Sequence, residues 1–362
     1  MEYREINREI ELAPHGKEKM KFIRKGWELA DKNKNRDKQL EYRMDYMSEV
    51  VFYDDIMEMY VVYPEILKLY DEQVKECGYS NHTFRVLWQY KWLLEDAKYF
   101  HQISVKQWEK FYEDAKKRYI ENNYSLRALY LKRFSFYKNI DREEADKAYK
   151  EFLNCKRDRM CDCQACERSA EVEYLLYVGE IGLAASKAEA LFERQMTCEE
   201  QPECTYGDFI DYYNKKIAEG DADYIEPASN LCETLKNAIA KRGIATEFIP
   251  TILLFYAMTR PTKALNYYKK YWSFYETCRN PHMKFNFAVA AVRFFNNLEG
   301  KETYKMSVTS DFPFYNESNT YNVAELKAYY EKSAIDIAKK MDARNGNTIY
   351  MDKFIKMTKA SE

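Results

Sequence analysis

The chain has 362 residues, with 57 Lys and Arg against 59 Asp and Glu, a net charge of −2 with histidine neutral. Only 10 Gly and 8 Pro are present, which excludes turn-rich sandwiches, barrels and propellers, while 33 Tyr, 20 Phe and 5 Trp exclude a disordered chain. Balanced charge provides no global field for nucleic acid or an anionic membrane, and neither is expected as a partner.

What remains is an all-α chain. At ~150 residues per domain its length admits two or three domains or one extended array. Residues 1–80 predict irregular N-terminal helices. Within them Lys21, Arg24, Lys25, Lys32, Lys34, Arg36 and Lys38 form a basic stretch broken by Glu28, Asp31 and Asp37. This reads as a solvated helix pair with its linker. The stretch lacks a convincing DNA-recognition helix. The N-terminus Met1-Glu2-Tyr3-Arg4-Glu5 is charged and no apolar core follows it, so no secretory leader is expected.

Residues 81–300 carry one recurring spacing. Trp108, Phe111, Tyr112 and Ala115 fall at i, i+3, i+4 and i+7. Ala145, Ala148, Tyr149 and Phe152 do the same, as do Ala264, Tyr267, Tyr268 and Tyr271. Ala184, Ala188 and Leu191 match three of the four positions. Each set is one apolar stripe of an amphipathic helix. The lead residues 108, 145, 184 and 264 lie 37, 39 and 80 residues apart, which places a degenerate unit near 225. A period of about 37–40 residues holds two helices and two short turns. Ser104 with Gln107, and Asp141 with Glu144, cap the starts of such helices, and Pro261 suits a first helical turn. The most apolar run, Phe248–Met258, is eleven residues with Pro250 inside. A membrane span needs about 20, so the run reads as a buried helix in a soluble, cytoplasmic chain.

Gly179 with Ala184, Ala145 with Tyr149, and Ala264 with Tyr268 resemble parts of the tetratricopeptide repeat, over roughly residues 85–295. In that family the second helix opens on Gly, with Ala five residues on and an aromatic four further. Here Ala188 replaces the aromatic, two units lack the Gly, and the period exceeds the usual value of about 34. Asp162–Pro202 and Asp342–Gly346 also resemble a bacterial group of such proteins of unassigned function. The resemblance implies a right-handed α-solenoid of helix pairs with a concave binding face. An irregular all-α globule is the alternative.

Residues 301–321 read as a loop insertion with a short strand. Asn322 and Glu325 then cap a helix over 322–342 that closes the stack, and 322–362 is completed by a tail.

Nine cysteines in a chain without a leader read first as reduced thiols. Cys155, Cys161, Cys163 and Cys166 crowd into twelve residues, and Cys198 and Cys204 follow one helix pair later. A Cys-x2-Cys turn aims two thiolates at one point, and a helix hairpin returns its second end beside its first. We therefore expect Cys163, Cys166 and Cys198, with Cys204, Cys155 or Cys161 as the fourth, to suit a structural zinc. A redox pair is the alternative.

No phosphate loop, dinucleotide fingerprint, nucleophile elbow or His-Glu-x2-His is present, and the four histidines form no motif, so no enzyme is expected. First helices line the concave side in the resembled family. Tyr130, Arg133, Phe134, Tyr137, Tyr212, Tyr213, Asn214 and Tyr256 are the candidates to grip a protein or peptide there, because such side chains combine apolar area with a hydrogen-bonding tip. The sequence leaves the oligomeric state open.

Overall fold

The computed structural model describes residues 2–359 except 54, 244, 299 and the side chain of 242. Among them the chain is all-helical apart from one two-stranded ribbon. Among the described residues no helix is long and apolar enough to cross a membrane. Two compact units are present. One takes most of the chain up to Cys161; the other takes the chain from Asp162 with the short segments Tyr99–Ser104 and Lys138–Arg142.

The first unit contains α1 (Tyr3–Leu12), α2 (Lys17–Lys32), α3 (Arg36–Tyr53), α4 (Met59–Cys77), α5 (Thr83–Asp96), α6 (Val105–Glu121), α7 (Arg127–Tyr137) and most of α8 (Arg142–Asn154). The basic stretch is the expected helix pair, α2 and α3, joined through residues 33–35. In α2 the buried residues Met20, Ile23, Gly26 and Ala30 make one stripe, and Gly26 leaves room for the Tyr42 ring. In α6 the stripe is Trp108, Tyr112, Ala115 and Tyr119, all buried, while Phe111 lies half-covered against Tyr60. In α8 it is Ala145, Ala148, Tyr149 and Phe152.

One carboxylate is built into this unit. Glu95 meets Lys132 at 3.1 Å, accepts a 3.0 Å bond from Ser135 Oγ and is paired with Lys98. Burial alone would raise its pKa, but the two lysines outweigh burial and hold it well below the usual carboxylate range. Its contribution is therefore present in full above the unfolded value and is lost as pH falls through the folded one. Glu95→Gln should cost about 1–2 kcal/mol at pH 7. The gap to wild type should narrow below about pH 4, which urea midpoints at pH 7 and pH 3 measure.

The second unit contains α9 (Gln164–Val178), α10 (Ile181–Phe192), α11 (Glu203–Ala218), α12 (Ile225–Arg242), α13 (Ile249–Thr259), α14 (Pro261–Thr277), α15 (Pro281–Asn296), α16 (Val323–Asn345) and α17 (Ile349–Thr358). A helix does begin at the position near 225, and Pro261 does open α14. Gly179 plays a different part from the one expected. It ends α9 with φ of 87°, a left-handed conformation that only glycine adopts without strain, and α10 starts two residues later.

Neighbours in sequence pack as hairpins: α9 with α10, α11 with α12, and α13 with α14. The first members also pack on one another, α9 on α11, α11 on α13 and α13 on α15. The apolar run forms α13, buried from Ile249 to Ala257. Helix α15 is buried on nearly every side from Phe287 to Phe295, Arg293 included, and touches α13, α14, α16 and α17.

Strands β1 (Thr303–Lys305) and β2 (Thr320–Asn322) close the insertion into an antiparallel ribbon, with Thr303 opposite Asn322. Between them Met306 and Phe312 are buried, and the Phe312 ring meets Trp272 edge-on at 5.1 Å. The insertion is thus folded onto α14. Asn322 Oδ1 accepts the Glu325 N–H at 2.9 Å, the expected cap of α16. Past it, the expected tail contains α17. The segment Asp342–Gly346 is a joint: the Asp342 carboxylate accepts the N–H groups of Tyr350 and Met351, both at 2.9 Å, and Asn345 donates to the Asn139 carbonyl.

Candidate functional site

Among the described residues, Cys163, Cys166 and Cys198 bring their sulfur atoms within 4.8 Å of one another. Cys163 is the N-cap of α9, and its Sγ accepts the Cys166 N–H at 3.3 Å. A spacing of three puts both thiols on one side of the first turn. Cys198 arrives from the connection that follows α10. That connection is fixed where it meets α11: Arg194 pairs with Glu203 at 3.3 Å, and Gln201 Oε1 accepts from Thr205 Oγ1 at 2.8 Å. Thr205 Oγ1 also lies 2.9 Å from Ser169 Oγ on α9, so the N-terminal ends of α9 and α11 are tied together. Between those two ends Cys198 Sγ comes to 3.5 Å from Cys166 Sγ.

All three thiols are free. Burial, then the sulfurs of Cys163 and Cys198, push the Cys166 thiol up. Such a group stays neutral until a cation supplies the opposing charge. Three convergent sulfurs can hold a soft divalent ion, or two of them can join as a disulfide under oxidation.

Cys204 does not join this group, which corrects the expectation that it completes four ligands. As the second residue of α11 it points its Sγ at Glu247 Oε1, 3.9 Å away. Burial, then Glu247, raises its pKa. Cys155 and Cys161 belong to the first unit, where Cys161 Sγ lies 3.7 Å from Asp158 Oδ1. A residue that sequence reasoning missed stands beside one of the sulfurs, that of Cys166. Glu200 Oε2 is 3.8 Å from Cys166 Sγ. Its only signal in the sequence is its place two residues after Cys198.

The eight aromatic and polar candidates divide by burial. Phe134, Asn214 and Tyr256 are buried, and Tyr137 nearly so. Phe134 packs on Tyr149, Asn214 Nδ2 donates to the Thr251 carbonyl at 3.0 Å, and Tyr256 donates to Glu233 at 2.9 Å. These four serve the chain's own packing, which corrects their assignment to an open face. Arg133 is half-buried: it pairs with Glu109 and Glu144, both at 3.0 Å, and lies 4.8 Å from the Tyr137 ring. Tyr130 is half-exposed on the same helix.

Tyr212 and Tyr213 remain partly open and form a ring cluster with Tyr224. Tyr213 also lines a shallow hollow of about 440 Å³ between α10 and α11. Phe192 and Phe209 give it an apolar lining, and Glu189 and Glu193 give it an acidic one. The hollow was not foreseen from the sequence, in which Glu189 and Glu193 belong to no motif.

Against protein-family models, curated proteins and solved structures, the chain shows no match.

Proposed function

We propose that this chain is a non-enzymatic interaction scaffold or regulator that binds a protein or peptide partner on a stack of tetratricopeptide-like helix pairs, uneven in length because the first helices begin at residues 164, 203, 249 and 281 rather than at a fixed 37–40-residue period. The observation that carries the reading is the packing order in the second unit. First helices lie on first helices through α9, α11, α13 and α15, while each of the first three also pairs with its own second helix. That order supports the reading, because stacked repeats bury their apolar faces against their neighbours. The hollow beside Tyr213 supplies a place for a side chain of the partner. Its Glu189 and Glu193 favour a basic segment with an apolar residue.

Selection of a displayed peptide library on the full chain tests this. Enriched peptides should combine Lys or Arg with a large apolar residue, and reversal of Glu189 and Glu193 to Lys should weaken them at least tenfold. Absence of enrichment, or binders indifferent to both reversal and Tyr213→Ala, would reject the reading.

A second reading rests on the three thiols. Zinc held by Cys163, Cys166 and Cys198 would clip the connection after α10 to the start of α9, as a structural element or as a metal- or thiol-responsive switch.

A further inference from the structure

We propose that Glu200, not Cys204, supplies the fourth ligand of a zinc ion at the three-thiol site, giving a tetrahedral set of three sulfurs and one carboxylate oxygen. The proposal rests on the zinc reading above and goes on to name its donor set. Tetrahedral zinc, with bonds of about 2.3 Å to sulfur and about 2.0 Å to oxygen, holds two sulfurs about 3.8 Å apart and a sulfur and an oxygen about 3.5 Å apart. Cys166 Sγ stands 3.5 Å from Cys198 Sγ and 3.8 Å from Glu200 Oε2, close to both separations.

The chain's own path favours this carboxylate. Cys198 and Glu200 share one short connection, whose Cys198 N–H reaches the Gln201 carbonyl at 3.4 Å. Glu200 is exposed and free to swing onto an ion, whereas Cys204 is locked in α11 with its sulfur toward Glu247. Using Cys204 would mean turning that sulfur away from Glu247, whose carboxyl burial already biases toward its neutral form. Cys163 and Glu200, both exposed, leave the position reachable from solvent. Each thiol that binds the ion releases one proton to water, and the ion carries no redox change. The result is a clasp across the connection that follows α10.

The test uses the reduced full chain, purified without added metal and titrated with Co2+ and then Zn2+. Thiolate-to-cobalt absorbance counts the sulfurs, and competition with a chelating dye gives affinity. We expect a three-thiolate spectrum that Cys204→Ser leaves unchanged, with affinity within about threefold of wild type. Glu200→Gln should keep that spectrum and lose tenfold or more in affinity, and Cys198→Ser should abolish tight binding. Helical circular dichroism of each metal-free variant checks that the chain still folds. If Cys204→Ser removes thiolate absorbance, or Glu200→Gln binds as tightly as wild type, the fourth-ligand assignment is overturned while the zinc reading stands. If the wild-type chain binds neither ion, the zinc reading falls and the assignment with it.

Discussion

Trp108→Ala should lower the unfolding free energy by about 3–5 kcal/mol, among the largest losses for a single core side chain. Trp108 has no exposed surface, and its ring lies 4.2 Å from that of Phe136 at only 6°. Tyr112 stacks at 5.2 Å and Tyr137 meets it edge-on at 5.8 Å. Its Nε1–H donates to the Leu94 carbonyl at 2.9 Å. Truncation removes the transfer energy of the ring, leaves a cavity between α6 and α7, and strips a buried carbonyl of its donor. Trp108→Phe keeps most of the apolar volume and loses the donor, so its cost should be smaller, about 1–2 kcal/mol. Urea denaturation followed by far-ultraviolet circular dichroism separates the two. A loss below about 1 kcal/mol for Trp108→Ala would mean that the ring is not packed as described.

The stripe containing Trp108 was legible because an amphipathic helix writes its buried face into local spacing. The stripes led by Ala145, Ala184 and Ala264 were legible for the same reason. The helix at 225 has an equally regular stripe, Ala228, Cys232, Leu235 and Ile239, but no aromatic marks it. One of its members is Cys232, a residue type read first as a reduced thiol and not as part of an apolar stripe. In α7 and α13 spacing fails altogether. Helix α13 is apolar nearly all round, and α7 mixes Arg127, Lys132 and Arg133 among its apolar residues without a clean stripe, so nothing in the sequence says which side of Phe134 or Tyr256 meets solvent. Each of the two spends that side on another helix. The cysteine site was half legible. The Cys-x2-Cys turn and the hairpin return found Cys163, Cys166 and Cys198. The path of residues 193–202 is set by Arg194, Gln201 and Thr205 through contacts without period, so the sequence could not choose between Cys204 and Glu200. Likewise the N-cap residue of α17, Thr348, makes no side-chain cap, and the helix start is satisfied by Asn347 and by Asp342 from the preceding helix.

Gly207→Ala and Gly182→Ala should change stability in opposite directions. Both glycines lie inside helices, where alanine is ordinarily favoured by about 0.5–1 kcal/mol because it has less backbone freedom to lose. At Gly182 in α10 a methyl group would meet nothing within 4 Å, so the ordinary gain should appear, up to about 1 kcal/mol. At Gly207 in α11 a Cβ would stand 2.0 Å from Phe248 Cε1 and 2.2 Å from Cδ1. The aromatic ring, packed against the main core, or the helix must move, and Gly207→Ala should cost about 1–3 kcal/mol. The ring can be tested as the cause. Phe248→Ala alone loses packing, but in its background the added methyl has space, so the double variant should be more stable than the sum of the two single losses predicts. Additive losses in that cycle would place the strain elsewhere along α11. A double variant more stable than additivity predicts would identify residue 207 as glycine by necessity, the position where the chain gives up helix propensity so that the Phe248 ring can sit against its backbone.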